Sequence, residues 1–226
     1  MIVTMNQQPR RVSLEKAWPM KNVEMHAKNA LDILTDFAQK GLTIPQVLMG
    51  QDRIFREWQH YPSHDLVDVA TGYEVYYHAH KVDEMSDMEH GHFHLFKRSP
   101  TQADQFMHLI AIALDQKGLP VRLFTTNQWV TGETMGSAES LRDALTHFKI
   151  EAGNSLDTLA SWIQSLITLY RDEIEQLIEE RDRRLNQLAS QTKSMASVLN
   201  DQSIHVLSQR QIHLLDDLSS PINNLQ

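Results

Sequence analysis

The chain has 226 residues, of which 41% are hydrophobic and 22% charged, an ordinary composition for a globular protein with a sizeable core. Its net charge of −8 argues against sequence-independent binding of nucleic acid and against an anionic membrane surface, because phosphate contacts require a basic face. The absence of cysteine excludes disulfides, thiolate ligands, iron–sulfur clusters and a cysteine nucleophile, so any metal ion must be held by nitrogen and oxygen.

The N-terminal segment shows no targeting signal. It lacks the basic start and apolar core of a signal peptide, and no apolar run in the chain approaches the roughly 20 residues of a membrane-spanning helix. We therefore expect a cytoplasmic protein. Its predicted organisation is a flexible N-terminal arm over residues 1–19, a single domain over residues 20–218 and a tail over residues 219–226.

The first predicted elements are helices. Apolar residues recur at helical spacing between Asn22, the expected N-cap, and Gly41, the expected C-cap. A second, shorter helix is predicted to follow and to stop near Pro62, because proline breaks a helix.

Four short segments rich in aromatic and β-branched residues then predict β-strands: GYEVYYHAHK, HGHFHLFKR, MHLIAIALD and PVRLFTTN. Polar connections separate them, and a tight loop with Gly118 and Pro120 joins the last two. Their succession predicts a small four-stranded antiparallel meander within a strand-rich region, residues 70–127.

The remainder, residues 137–218, is predicted to be helical. A short helix lies in SAESLRDALTHF, a long one with a continuous apolar stripe begins at Asn154, and a final helix covers SIHVLSQRQIHLLDDL. The predicted fold class is therefore α+β, with N-terminal helices and a long C-terminal helical segment flanking the sheet. These C-terminal helices are a candidate interface for a homodimer.

Histidines are concentrated in the stretch YYHAHKVDEMSDMEHGHFHLF. Residues two apart on a strand share a face, so His78 projects with His80, and His90 projects with His92 and His94. In a hairpin that places His80 opposite His92, His78 lies opposite His94, with Cβ atoms roughly 4.5–5.5 Å apart. The pattern predicts one divalent transition-metal ion with four ligands: His78, His80, His92 and His94.

Carboxylates lie between the two histidine-bearing strands. Glu84 and Glu89 are candidate catalytic residues, as a general base or as a carboxylate ligand. The donor set suits zinc, iron, manganese, nickel or copper without choosing among them. Zinc would imply hydrolysis or hydration of a small-molecule substrate, and iron(II) would imply oxygen chemistry.

The segment TTNQWVTGE follows the fourth predicted strand, a position where site residues often lie on loops. Asn127 and Glu133 are candidates to line a cofactor pocket beside the histidines. In the alternative interpretation, Asn127 caps the turn into a helix and Trp129 fills the core. His60 and His64 are further candidates for the same site.

Three other functions fit the same residues. The protein could bind or sense a metal without turnover, use metal-free histidines for phosphate chemistry, or serve as a helical dimerisation module with incidental histidines. An enzyme requires an open coordination position, whereas four protein ligands close a structural site.

Two known motifs resemble the histidine-rich stretch. Gly72, His78, His80, Glu84 and Gly91 have the spacing of the first cupin metal motif, although the second cupin motif, Pro-x-Gly followed by histidine, is absent downstream. The run HGHFHLF resembles the histidine-triad nucleotide hydrolases, in which the middle histidine attacks a phosphate. That family's Gly-Gln lead-in is missing here.

A third resemblance covers most of the chain. The segments EHGHFHLF, HLIAIALD, LFTTNQWVTGE and VLSQRQI are similar to a bacterial family known as a domain of unknown function. This resemblance implies a single domain and carries no activity or catalytic residue with it.

Overall fold

The computed structural model describes residues 20–52, 54–80, 88–102 and 104–223. The predicted α+β class is confirmed. The strands are β1 (Tyr61–Asp68), β2 (Tyr73–His78), β3 (Gly91–Arg98), β4 (Phe106–Leu114), β5 (Pro120–Thr126) and β6 (Val206–Gln211). The helices are α1 (Met20–Gln39), α2 (Ile44–Met49), α3 (Gln128–Thr131), α4 (Ala138–Thr146), α5 (Asp157–Leu169), α6 (Arg171–Thr192), α7 (Met195–Leu199) and α8 (Leu214–Asn223).

Among the described residues the sheet has six strands in the order β1 to β6, and every neighbouring pair is antiparallel. The four predicted strands are β2 to β5, so the prediction of a four-stranded meander was incomplete. The two missed strands form the edges of the sheet. Strand β1 contains Pro62 and pairs irregularly between Tyr61 and Leu66, and β6 lies where a helix was predicted.

The helical segments also differ from their predicted bounds. Helix α2 ends before Gly50, which has a φ of 58°, rather than near Pro62. The long helix expected from Asn154 is divided into α5 and α6 at Tyr170. The Tyr170 hydroxyl donates a hydrogen bond to Asp217 Oδ2 at 2.8 Å, which ties this break to α8. None of the helices within the described ranges is long and apolar enough to cross a bilayer.

One face of the sheet, called the helix face, packs against the helices. Phe93 and Leu95 of β3 and Ile110 and Ile112 of β4 are fully buried there, in one core with residues of α1, α4, α5 and α6. Trp162 of α5 lies at the centre of this packing, with its ring 6.3 Å from that of Phe93. Each such side chain stabilises the fold by about 1.5–3 kcal/mol.

The opposite face, called the histidine face, carries the alternate residues of the same strands. Its apolar floor is a small cluster of Ala111, Ala113 and Phe124. The Phe124 ring lies edge-on to His92 with the ring centroids 5.2 Å apart. The sheet therefore separates an apolar core from a layer of histidines.

Candidate metal centre

Three histidines converge on the histidine face. His78 at the end of β2 lies directly opposite His92 of β3, and His94 follows two residues later on the same face. One ring nitrogen from each lies within 4.8 Å of the other two. These three residues, called the triad, could therefore hold a metal ion.

The spacing within the triad suits coordination. His78 Nε2 and His92 Nε2 are 2.9 Å apart. Two nitrogens bound to one ion at 2.0–2.1 Å are separated by about 2.9 Å at a right angle and by about 3.4 Å at the tetrahedral angle. Little movement would be needed for this pair to share a cation.

The pairing register differs from the predicted one. His78, not His80, lies opposite His92, and Tyr76 lies opposite His94. The shift is two residues, which keeps every side chain on the same face. The convergence of histidines therefore persists although the predicted partners were wrong.

His80 lies just beyond the end of β2 and beside the triad. Its ring centroid is 5.0 Å from that of His78 and 5.1 Å from that of His92. Trp58 stacks on His80 at 4.2 Å, with 53% of Trp58 exposed to solvent. The Trp58 N–H donates to the Ala79 carbonyl at 2.8 Å, which anchors its left-handed backbone (φ 64°). Trp58 and His80 therefore form a rim next to the triad.

The triad is held in the neutral form. Burial lowers the pKa of both His92 and His94 well below the ordinary 6.5. Burial, reinforced by neighbouring His80 and His60, lowers the pKa of His78 to about 3. A neutral imidazole keeps a lone pair, and this is the form that binds a metal ion.

His108 of β4 is a further buried histidine on this face, which the strand pattern did not predict. Its Nε2 atom lies 3.0 Å from His94 Nδ1, and its Nδ1 atom lies 3.1 Å from Thr126 Oγ1. Burial, together with the positive charge of Arg181, lowers the pKa of His108 to about 3. His108 is therefore a neutral ring that contacts the triad through His94.

The two predicted catalytic carboxylates have different outcomes. Glu84 lies outside the described residues. Glu89 is buried and accepts two hydrogen bonds from Arg122, Nε to Oε1 at 2.6 Å and Nη2 to Oε2 at 2.8 Å. The Arg122 guanidinium lies 4.2 Å over the Phe124 ring, which itself contacts His92. Glu89 is thus linked to His92 through Arg122 and Phe124, with both of its oxygens engaged by arginine.

The two predicted pocket residues support the local backbone. Asn127 Oδ1 accepts from the Gln128 N–H and caps α3, while Asn127 Nδ2 donates to the Val198 carbonyl at 2.8 Å. Glu133 Oε2 accepts from the His108 N–H at 2.7 Å. Burial raises the pKa of Glu133 to about 7. Glu133 therefore reaches the site through the main chain of His108.

The two remaining candidate histidines lie on or next to β1. His60 stacks on Tyr76 at 3.7 Å, its ring centroid is 5.7 Å from that of His78, and its Nδ1 lies 3.2 Å from Asp65 Oδ1. His64 is exposed. The structure thus brings His60 near the triad and leaves His64 at the surface.

Fold and site together define a class: an α+β domain whose antiparallel sheet carries a buried cluster of histidines able to hold a metal ion. The chain matches, over residues 24–212, the model of a family described as Domain of unknown function (DUF6969). It belongs to this family, in agreement with the resemblance found in its motifs. Comparison with curated proteins and with solved structures found no match.

Proposed function

We propose that the protein binds one divalent transition-metal ion through His78, His92 and His94. The observation that carries this proposal is the convergence of three neutral imidazoles, with one nitrogen from each within 4.8 Å of the other two. Imidazole ligation suits zinc, iron(II), nickel or copper, and manganese only with additional oxygen ligands.

The close histidine pair supports a metal over a metal-free cluster. One shared proton satisfies the nitrogens of His78 and His92 that lie 2.9 Å apart. A metal ion in the same place would engage a nitrogen of His94 as well, which one proton cannot do. Gathering buried imidazoles is otherwise unfavourable, because each polar nitrogen loses its hydration.

Three protein ligands leave an open coordination position, which is the arrangement of catalytic sites. We therefore propose a metal-dependent enzyme of the hydrolase or oxygenase type that acts on a small molecule. When bound, the metal would supply Lewis-acid or oxygen chemistry at that position. The exposed ring of Trp58, beside the triad, would contact a substrate entering from solvent.

A second candidate is a metal-binding protein without turnover. It is favoured by the position of His80, whose ring lies about as close to His78 as His92 does: the centroid distances are 5.0 Å and 4.7 Å. A rotation of His80 toward the ion would close the fourth position and make the site structural.

The first experiment measures metal content. Chelator-treated full-length protein is incubated with zinc, desalted and analysed for bound metal. We expect one zinc ion per chain in the wild type and in His147→Ala, a control at an exposed histidine of the α4 C-cap. We expect its loss in His92→Ala and His94→Ala. Equal metal content in wild type and triad variants would contradict the proposal.

The second experiment separates the two candidates. Cobalt(II) replaces zinc, and azide is added while the visible absorption spectrum is recorded. An open site binds azide and changes its spectrum, and His80→Ala leaves the metal affinity unchanged. A closed site does not bind azide, so the spectrum stays the same. In that case His80→Ala weakens metal binding.

A further inference from the structure

A buried hydrogen-bonded chain leads from the triad into the sheet. It runs from His94 Nδ1 to His108 Nε2 over 3.0 Å, and from His108 Nδ1 to Thr126 Oγ1 over 3.1 Å. All three residues are at most 3% exposed. Because so little of these residues is exposed, the two contacts provide the partners of His94 Nδ1 and of both ring nitrogens of His108.

The directions of these hydrogen bonds are linked to each other. A neutral imidazole has one N–H donor and one lone pair. If His94 donates from Nδ1, His108 accepts at Nε2 and carries its own proton on Nδ1, which faces the Thr126 hydroxyl. His94 Nε2 then keeps its lone pair. The opposite direction places a proton on His94 Nε2, where it would block a metal ion.

We propose that His108 and Thr126 are positioning residues that fix the ring of His94 and make its Nε2 the metal-binding nitrogen. This inference rests on the proposed function of the triad. Partners of this kind hold the tautomer and the orientation of a metal-binding imidazole, and their removal weakens metal binding by about 10–100-fold.

A β-bulge places His108 where this role requires it. Leu95 pairs with Ile110 and Phe96 pairs with His108, so Leu109 is an extra residue in β4. Under strict alternation His108 would share the helix face with Ile110. The bulge turns it to the histidine face instead.

The main chain of His108 is anchored as well. Its N–H donates to the buried Glu133 carboxylate at 2.7 Å. Backbone and ring are therefore both fixed, which is the arrangement expected of a rigid support for a metal ligand.

The alternative role for His108 is that of a direct ligand, because two ligands of one ion also lie about 3 Å apart. Among the described residues, however, the nitrogens that share one position belong to His78, His92 and His94, without His108. Coordination through His108 would take His94 Nδ1 and draw the ion away from the other two rings. The two roles therefore predict different metal-bound nitrogens.

The test uses 15N-labelled full-length protein with and without zinc. Two-bond 1H–15N spectra report which nitrogen of each ring carries a proton and which binds metal, and zinc affinity is measured by chelator competition. His108→Leu removes the acceptor, His108→Gln retains one, and Thr126→Val removes the hydroxyl. Thr125→Val is the matched control, a neighbouring buried threonine whose hydroxyl contacts Ser208 Oγ at 2.7 Å instead.

In the zinc-bound wild type we expect a proton on His94 Nδ1 and metal on His94 Nε2. We expect His108→Leu to weaken zinc binding by about 10–100-fold. His108→Gln should recover most of the affinity, Thr126→Val should show a smaller loss, and Thr125→Val none. If His108→Leu does not fold, the wild-type spectra and the Thr126/Thr125 pair decide the question.

Several results would overturn the inference. They are unchanged zinc affinity in His108→Leu and Thr126→Val, metal on His94 Nδ1, or metal on His108. A wild type that takes up no metal would refute the proposed function and this inference together. A wild type that binds zinc while the variants bind it equally well would refute the positioning role alone.

Discussion

Both faces of the sheet are buried around β3, and they differ in what that burial does. Phe93 and Leu95 are 0% exposed on the helix face, while His92 and His94 are 7% and 2% exposed on the histidine face. Burial of the first pair releases apolar surface from water and stabilises the fold. Burial of the second pair costs free energy unless their nitrogens find partners. A single strand thus contributes to the apolar core on one side and carries candidate metal ligands on the other.

The largest expected difference between the faces is their response to acid. Burial lowers the pKa values of the triad histidines, so the unfolded chain takes up protons below about pH 6.5 while the folded chain stays neutral. The free energy of unfolding of the metal-free protein therefore falls as the pH decreases from 6.5 toward 3. Each such histidine contributes up to about 1.4 kcal/mol per pH unit.

Urea unfolding between pH 8 and pH 4 measures this slope. His92→Leu should reduce it, because one buried neutral imidazole is gone. Phe93→Leu, the neighbouring change on the helix face, should lower the free energy of unfolding by an amount that does not depend on pH. Identical slopes in the two variants would remove the electrostatic distinction between the faces.

Truncation on the helix face should produce the next largest effect. Phe93→Ala deletes a fully buried ring packed against Tyr77 and Trp162, and we expect a loss of about 3–5 kcal/mol of unfolding free energy. The protein that remains folded should still bind one zinc ion. Denaturant titration and metal analysis check both statements, and loss of metal from the folded variant would show that the faces are coupled.

Glu133, which is buried and accepts a hydrogen bond from the His108 N–H, tests whether a buried charge next to the histidine face lowers stability. Burial raises its pKa from 4.5 to about 7, so the folded chain holds more protons than the unfolded chain between these values. Stability from this group falls as the pH rises through that window. Glu133→Gln should therefore be more stable than wild type at pH 8, on the order of 3 kcal/mol, with the gain disappearing near pH 4. A gain independent of pH would contradict this.

Asn127 should give the smallest effect of these variants. Asn127→Ala removes the α3 cap and the hydrogen bond to Val198, which we expect to cost about 1–2 kcal/mol. Zinc affinity should stay unchanged, and Asn127→Asp should retain the cap. Altered zinc affinity in the folded alanine variant would restore the pocket role that the sequence predicts for this residue.

Local patterns in the sequence were sufficient for the central sheet. Alternation in β2 and β3 predicted that His78, His92 and His94 share a face, because side-chain direction along a strand depends on neighbouring residues alone. The edge strands lack that signal. β1 is polar with a proline, and the apolar residues Ile204, Leu207, Leu214 and Leu218 in and around β6 fit helical spacing as well.

Tertiary features explain the remaining errors. The register between His78 and His92 depends on the connection between the strands, which apolar alternation does not specify. His108 was missed because an extra residue, Leu109, reverses its direction, and alternation assigns it to the wrong face. The residue that supports His94 was therefore invisible to a pattern of period two.

The distance along the chain between β5 and β6 has a consequence for how the sheet forms during synthesis. Strand β5 pairs with β6, and Thr126 lies opposite Val206, although residues 127–205 separate them. The outer amides of β5 have no strand partner until residues 206–211 have been synthesised, and an unpaired strand edge can pair with other chains. Thr126, which contacts His108, lies at this seam. Pairing with β6 therefore holds the strand that carries Thr126, whose hydroxyl contacts His108.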